Sequence, residues 1–246
     1  MKDLIDIEVR KKVLVAAHRG SSGTHKENTI EAFRQAIEDG ADMIETDVQS
    51  TADGIILTHH DLTLENDEKT INIQQEKYND LKNIDIKKSN QFMPPRLEDV
   101  FRLIKDKVYL IIEVKEINTL NFRQVIDKII GTAKLEEVEG QILISSFYPG
   151  YIKYAKSIAP GIPVAAIKPP AENFLPSQLK KSTGCEAFIC SLDELNDGIM
   201  EDAEKNNVFI GVYSIDDEKD LKSALSRNVN AIATNYPKKI VNLLRK

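Results

Sequence analysis

The run Ile44-Glu45-Thr46-Asp47-Val48, the turn Ala52-Asp53-Gly54, the run Ile55-Ile56-Leu57 and the triplet His59-His60-Asp61 decide how this chain is read. Side chains alternate faces along a strand, so Glu45 and Asp47 point to one side together. Two carboxylates on one face repel unless a cation lies between them. They are either ligands of a hard, oxygen-seeking divalent ion such as Mg2+ or Ca2+, or half of a salt-bridge cluster. The short turn makes 55–57 an antiparallel hairpin partner of the 43–48 run. Just upstream, the apolar run 13–17 ends in His18-Arg19-Gly20, so two short runs each stop at histidine.

Working outward, apolar β-branched runs recur at 13–17, 43–48, 109–114, 142–145, 163–167, 187–190, 208–212 and 231–233. Amphipathic stretches at 29–38, 97–104, 122–133, 151–158, 195–205, 217–225 and 238–244 separate most of them. Eight strands with helices between them predict an α/β fold, a (β/α)8 TIM barrel occupying residues 1–246 as one domain. The weakest helix follows 163–167, where Pro169, Pro170 and Pro176 leave only 177–181. Residues 62–96 break the rhythm and are long for a strand-to-helix connection. They read as a decorated loop over the barrel mouth, with a short helix at 78–81, forming part of the substrate entrance.

Barrel active sites gather at the C-terminal ends of strands. His18 and Arg19 end the first strand, Glu45 and Asp47 the second, and Glu113 and Lys115 the third. Three acids beside an arginine and a lysine are what a metal ion holding a phosphate requires. The metal neutralises the acids, and Arg19 offers a bidentate pair to phosphate. His18 and His60 are the candidate acid and base, because imidazole titrates near neutral pH. His59 points opposite to His60, and His25 lies in a polar loop. Asn28 and Glu31 stand at capping-box spacing before a helix. Asp61 either orients His60 or begins the loop, and Lys115 serves either the phosphate or a neighbouring acid.

The ordered set His18-Arg19-Gly20, Glu27-Asn28-Thr29 with Glu31-Ala32-Phe33, Gly40-Ala41-Asp42, Ile44 to Val48, Asp53-Gly54, His60-Asp61 and Leu110-Ile111-Ile112-Glu113-Val114-Lys115 resembles the glycerophosphodiester phosphodiesterases. Weaker echoes follow at Ser146-Phe147 and near the C-terminus. The resemblance implies metal-dependent hydrolysis of glycerophosphodiesters to glycerol 3-phosphate and an alcohol. It further implies that the glycerol 2-hydroxyl attacks first, giving a cyclic phosphate that water opens, with the matching histidines as acid and base. The chain departs from the family pattern in four places. Lys26 stands where proline is common, and Glu65-Asn66-Asp67 where Arg-Thr-Thr often follows. Val212-Tyr213-Ser214-Ile215 replaces a Trp-Thr-Val run, and Asn235 stands where Asp is typical. None removes a metal ligand or a histidine.

A net charge of -6 with 29% charged residues gives no electrostatic basis for nucleic-acid binding, so an anionic substrate needs local positive charge. The two cysteines, Cys185 and Cys190, form no disulfide framework and fit reduced thiols in a cytoplasmic protein. Residues 1–12 carry no apolar core of a signal peptide, and no run is long enough for membrane insertion. The expected partner is a small phosphodiester. Three other readings are kept: a lysophospholipase D-type enzyme, a Schiff-base lyase using Lys115 or Lys168, and a non-catalytic barrel that binds a phosphorylated ligand.

Overall fold

Alternation along each strand sorts the sequence into an inward and an outward set, and the two sets build different cores. In β2 (Met43–Ser50), Met43 faces the barrel interior while Ile44 and Val48 join the layer between sheet and helices. The computed structural model describes residues 13–65, 70–83, 93–117, 121–169 and 172–245. The leader reading of residues 1–12, and positions 66–69 and 84–92 of the 62–96 segment, lie outside the described residues.

The barrel is made of β1 (Leu14–His18), β2, β6 (Tyr109–Val114), β7 (Ile142–Ser146), β8 (Val164–Ile167), β9 (Ala187–Ser191), β10 (Phe209–Tyr213) and β11 (Ala231–Thr234). All are parallel, and the β1–β2 and β1–β11 ladders close the ring. β3 (Ile56–Thr58) runs antiparallel to β2, as the short turn predicts. Helices α1 (Ile30–Glu38), α3 (Leu97–Ile104), α4 (Phe122–Leu135), α5 (Pro149–Ile158), α6 (Pro176–Thr183), α7 (Asp197–Asn206), α8 (Glu218–Ser226) and α9 (Pro237–Leu244) follow the strands. The proline-limited α6 survives because Pro176 sits in its first turn, where the missing N–H is not needed, and Gly184 closes it at φ +79.

Register places the chemistry. In the parallel ladders His18 lies opposite Glu45, and Asp47 lies opposite Glu113. A slip of one residue would turn these acids outward among Leu110 and Ile112, so burial of the apolar set fixes their direction.

Two expectations are corrected. Thr29, not Asn28, caps α1: its Oγ1 accepts the Ala32 N–H at 3.2 Å. Asn28 turns instead toward the barrel mouth. The 62–96 segment is more than a loop. Its hairpin β4 (Thr63–Glu65) and β5 (Thr70–Asn72), and α2 (Tyr78–Asn83), surround a small core of Leu57, Leu64, Ile71, Ile73 and Leu81. Thr58 N–H donating to the Pro95 carbonyl at 2.9 Å, and an antiparallel bridge between Leu57 and Arg96, pin its far end against β3.

Candidate active site

β1 ends in a turn that only glycine permits. Arg19 and Gly20 both have positive φ, and a Cβ on Gly20 would lie 2.7 Å from the Ala32 carbonyl carbon. The turn directs the Arg19 backbone N–H to Glu45 Oε2 at 3.0 Å. Its guanidinium reaches Asp47 Oδ2 through Nε at 3.0 Å and Glu27 through NH1 at 3.0 Å.

Glu45, Asp47 and Glu113 each place a carboxylate oxygen within 4.8 Å of the others. Their exposures differ little, but their partners differ greatly. Asp47 is 1% exposed and compensated on both sides. Lys115 Nζ stands 2.8 Å from its Oδ1, while Asn28 Nδ2 donates to Oδ2 at 3.0 Å. Burial opposes the Asp47 charge, yet Lys115 and Arg19 outweigh it and hold the carboxyl below its usual range. Glu113 shares Lys115, with Nζ at 2.5 Å from Oε1. Glu45, 8% exposed, accepts the Arg19 backbone N–H but forms no ion pair among the described residues. Three buried side-chain atoms lack a hydrogen bond among the described residues: Arg19 Nε, Asp47 Oδ1 and Glu45 Oε1. The first two sit in ion pairs; Glu45 Oε1 has no partner. Burial, then the Asp47 and Glu113 charges, push the Glu45 carboxyl well above its ordinary value.

That donor set fits a divalent cation. Three carboxylates from two neighbouring strands face one another, two protein cations do not balance them, and one buried oxygen is left over. Hard ions of the Mg2+ and Ca2+ type take such oxygen ligands.

The two candidate histidines are each held by Nδ1. His18 Nδ1 lies 2.9 Å from Asn235 Oδ1, and burial lowers the pKa of the ring despite that bond. Asn235 is in turn gripped by Asp216, which accepts from Asn235 Nδ2 at 2.6 Å and from its backbone N–H at 2.8 Å. His60 Nδ1 lies 2.7 Å from Asp61 Oδ1, on a side chain 37% exposed, so Asp61 does orient His60. The His60 carbonyl accepts from Gln49 Nε2 at 3.1 Å. Gln74 Nε2 then bridges Gln49 Oε1 and the Glu116 carbonyl at 3.1 and 2.8 Å, tying the loops after β3 and β6 together. The His59 backbone N–H donates to the Asp47 carbonyl at 3.0 Å, which holds the His60 turn against the strand that carries the acids.

His18, Arg19, Glu45, Asp47, Glu113 and Lys115 therefore meet at one rim, with His60 beside them. His59 parts from His60: its Nε2 lies 3.2 Å from the Thr63 carbonyl, and its ring lines a separate cavity of about 300 Å³. The His25 ring pairs through Nδ1 with Thr24 Oγ1, 2.9 Å away. Lys168 is buried and ion-paired to Glu194 at 2.6 Å. An open cavity of about 510 Å³ lies at the opposite end of the barrel and contains none of these residues. Asn28, Gln49, Gln74, Asp216 and the holding role of Asn235 escape the sequence reading. The Asn28 carbonyl oxygen Oδ1 also accepts from Thr46 Oγ1 at 2.7 Å, a cross-link no local pattern announces.

Residues 18–239 match the Glycerophosphoryl diester phosphodiesterase family. A glycerophosphodiester phosphodiesterase of Caldanaerobacter subterraneus is 32% identical, with 96% of this chain and 99% of that protein aligned. Among solved structures, a phosphodiesterase of Oleispira antarctica in complex with the product sn-glycerol-3-phosphate superposes with a TM-score of 0.82 at 23% identity, covering 95% of this chain and 97% of that one. A glycerophosphodiester phosphodiesterase of Parabacteroides distasonis gives 0.82 at 24% identity, covering 100% and 98%. With a match across nearly the whole barrel and a full-length relative above 30% identity, the chain belongs to the glycerophosphoryl diester phosphodiesterase family.

Proposed function

We propose that the protein hydrolyses small glycerophosphodiesters to glycerol 3-phosphate and an alcohol, using a divalent metal ion and the histidine pair His18 and His60. The observation that carries this reading is the buried carboxylate triad with the unpartnered Glu45 Oε1, set beside two cations and two histidines held by Nδ1. Glu45, Asp47 and Glu113 would hold the ion, which when bound supplies positive charge to polarise a phosphoryl oxygen.

The remaining work belongs to the chain. Arg19 and Lys115 flank Asp47 and present N–H donors to a phosphate at the same rim. Glu27, its side chain 44% exposed, accepts from Arg19 NH1 through both carboxylate oxygens at 3.0 Å, and a phosphate competes with it for the guanidinium. One histidine takes the proton of the glycerol 2-hydroxyl as it attacks phosphorus, and the other protonates the departing alkoxide. Water then opens the cyclic phosphate with the roles exchanged. The Schiff-base alternative needs a neutral lysine. Burial favours that form at Lys115, but Asp47 and Glu113 override it and raise the pKa, keeping an ammonium. Among the described residues no helix is long and apolar enough to cross a membrane. Cys185 and Cys190 are free and buried, which supports the reading of a cytoplasmic enzyme.

The test is turnover of several glycerophosphodiesters by metal-stripped protein, with Mg2+ and Ca2+ restored separately. Activity should vanish in chelator and return with one ion. Wild-type turnover in excess chelator would refute the metal requirement. A preference for acyl-bearing lysophospholipids would move the reading to the lysophospholipase D type.

A further inference from the structure

The neutral imidazole ring exists as two tautomers, and a hydrogen bond to one nitrogen selects between them. At His18 the choice can be read from a chain of three side chains. Asn235 Nδ2 lies 2.6 Å from Asp216 Oδ2. A carboxylate can only accept, so the amide end facing Asp216 must be the NH2 group. The Asn235 N–H and Thr234 Oγ1 donate to the other Asp216 oxygen at 2.8 and 3.0 Å, which fixes that carboxylate in turn. The amide oxygen therefore faces His18 at 2.9 Å, where it can only accept. Ser22 Oγ, 2.8 Å from the same oxygen and 2.7 Å from the His18 carbonyl, braces it from a third side.

We propose that Asn235, locked by Asp216, is a positioning residue that holds neutral His18 in its Nδ1–H tautomer, leaving the Nε2 lone pair free to take a proton. The device is particular to this arrangement. An aspartate at 235 would put two carboxylates face to face across the 2.6 Å contact, so Asn235 and Asp216 work as a matched pair. His60, by contrast, has a carboxylate directly on its Nδ1. The kinetic consequence rests on the reading of His18 as an acid–base group; the tautomer does not.

The experiment is two-dimensional NMR of 15N-histidine-labelled, Mg2+-supplied protein, with the His18 ring assigned by its loss in His18→Ala. Wild type should show the Nδ1–H pattern. Asn235→Ala should drift toward the Nε2–H form and lose kcat by about 10–100-fold, as is usual when a supporting hydrogen bond is removed, with KM changed little. The exchange Asn235→Asp with Asp216→Asn keeps one donor and one acceptor across the pair, and should restore both the signal and most of kcat. A wild-type Nε2–H ring would overturn the proposal, as would an Asn235→Ala variant with an unchanged tautomer. So would a variant whose KM rises while kcat stays intact. If His18→Ala turned over at the wild-type rate, the acid–base reading and the kinetic half would fail, while the Nδ1–H signal would still decide the structural half.

Discussion

Glu45→Gln should reverse the sign of its effect on stability when metal is added. Gln keeps a carbonyl oxygen for the Arg19 N–H but removes the charge whose second oxygen has no partner. At the 4.8 Å that bounds the oxygen separations in the triad, two unit charges repel by about 3.5 kcal/mol at an effective dielectric of about 20. Arg19 and Lys115 offset part of that, so the metal-free variant should gain on the order of 1–2 kcal/mol. For a chain of this size that is about 2–8 °C in melting temperature. With metal at a hundredfold excess over its Kd, wild type gains about 2.7 kcal/mol and the variant much less, so the order reverses. Burial and the two neighbouring acids raise the Glu45 pKa. The charge penalty is therefore full above that folded-state pKa, shrinks as pH falls below it and is gone below the ordinary unfolded-state value, so the gap in chelator should narrow toward acid. Calorimetry in EDTA and in excess Mg2+ or Ca2+, with turnover on the same samples, measures both arms. A variant less stable than wild type in chelator, or a wild-type melting temperature indifferent to both ions, would refute the reasoning.

His18→Ala and His60→Ala should each keep the metal-induced rise in melting temperature yet lower kcat by about 10²–10⁴-fold, and the double variant should be little worse than either. His59→Ala should be mild by steady-state kinetics, because its ring serves the Thr63 carbonyl; equal damage at 59 and 60 would sink the assignment. Asn28→Ala strips a donor from Asp47 and an acceptor from Thr46, so urea titration should show a loss of about 1–3 kcal/mol. A neutral result there would mean that Asp47 is held by its two cations alone.

How much of this was legible follows from which forces act locally. The eight strands and the directions of Glu45, Asp47 and Glu113 follow from alternation, because an apolar set on the other face leaves one register. β2 runs to Ser50, past the expected 48, because Gln49 and Ser50 pair with Leu57 and Ile56 across the hairpin. Asn28 was misread because capping spacing is a local signal, while its real partners are 18 and 19 residues away. The core of the 62–96 segment has no local signature, because Leu64, the pair Ile71 and Ile73, and Leu81 lie too far apart in the chain to set up one sustained period. Asn235 registered only as a departure from a pattern, since its partners His18 and Asp216 come from other parts of the chain.

The same distinction separates what different substitutions should reveal. The acids stand on strands whose backbone ladders set their spacing, so the triad draws its geometry from the barrel itself. Its electrostatic strain is then a property of the folded state and appears in stability. His18 ends β1 and His60 lies just past β3, and their rings are aimed by single hydrogen bonds to Asn235 Oδ1 and Asp61 Oδ1. Losing such a bond frees a ring without disturbing a ladder, so the effect belongs in kcat and barely in the melting temperature. Arg19 lies between the two regimes. Its backbone amide anchors Glu45 while its guanidinium spans Asp47 and Glu27, so Arg19→Ala should keep the first contact and lose the second. The left-handed turn at Arg19-Gly20 orients both: the amide that serves Glu45 and the guanidinium that pairs with Asp47 and Glu27.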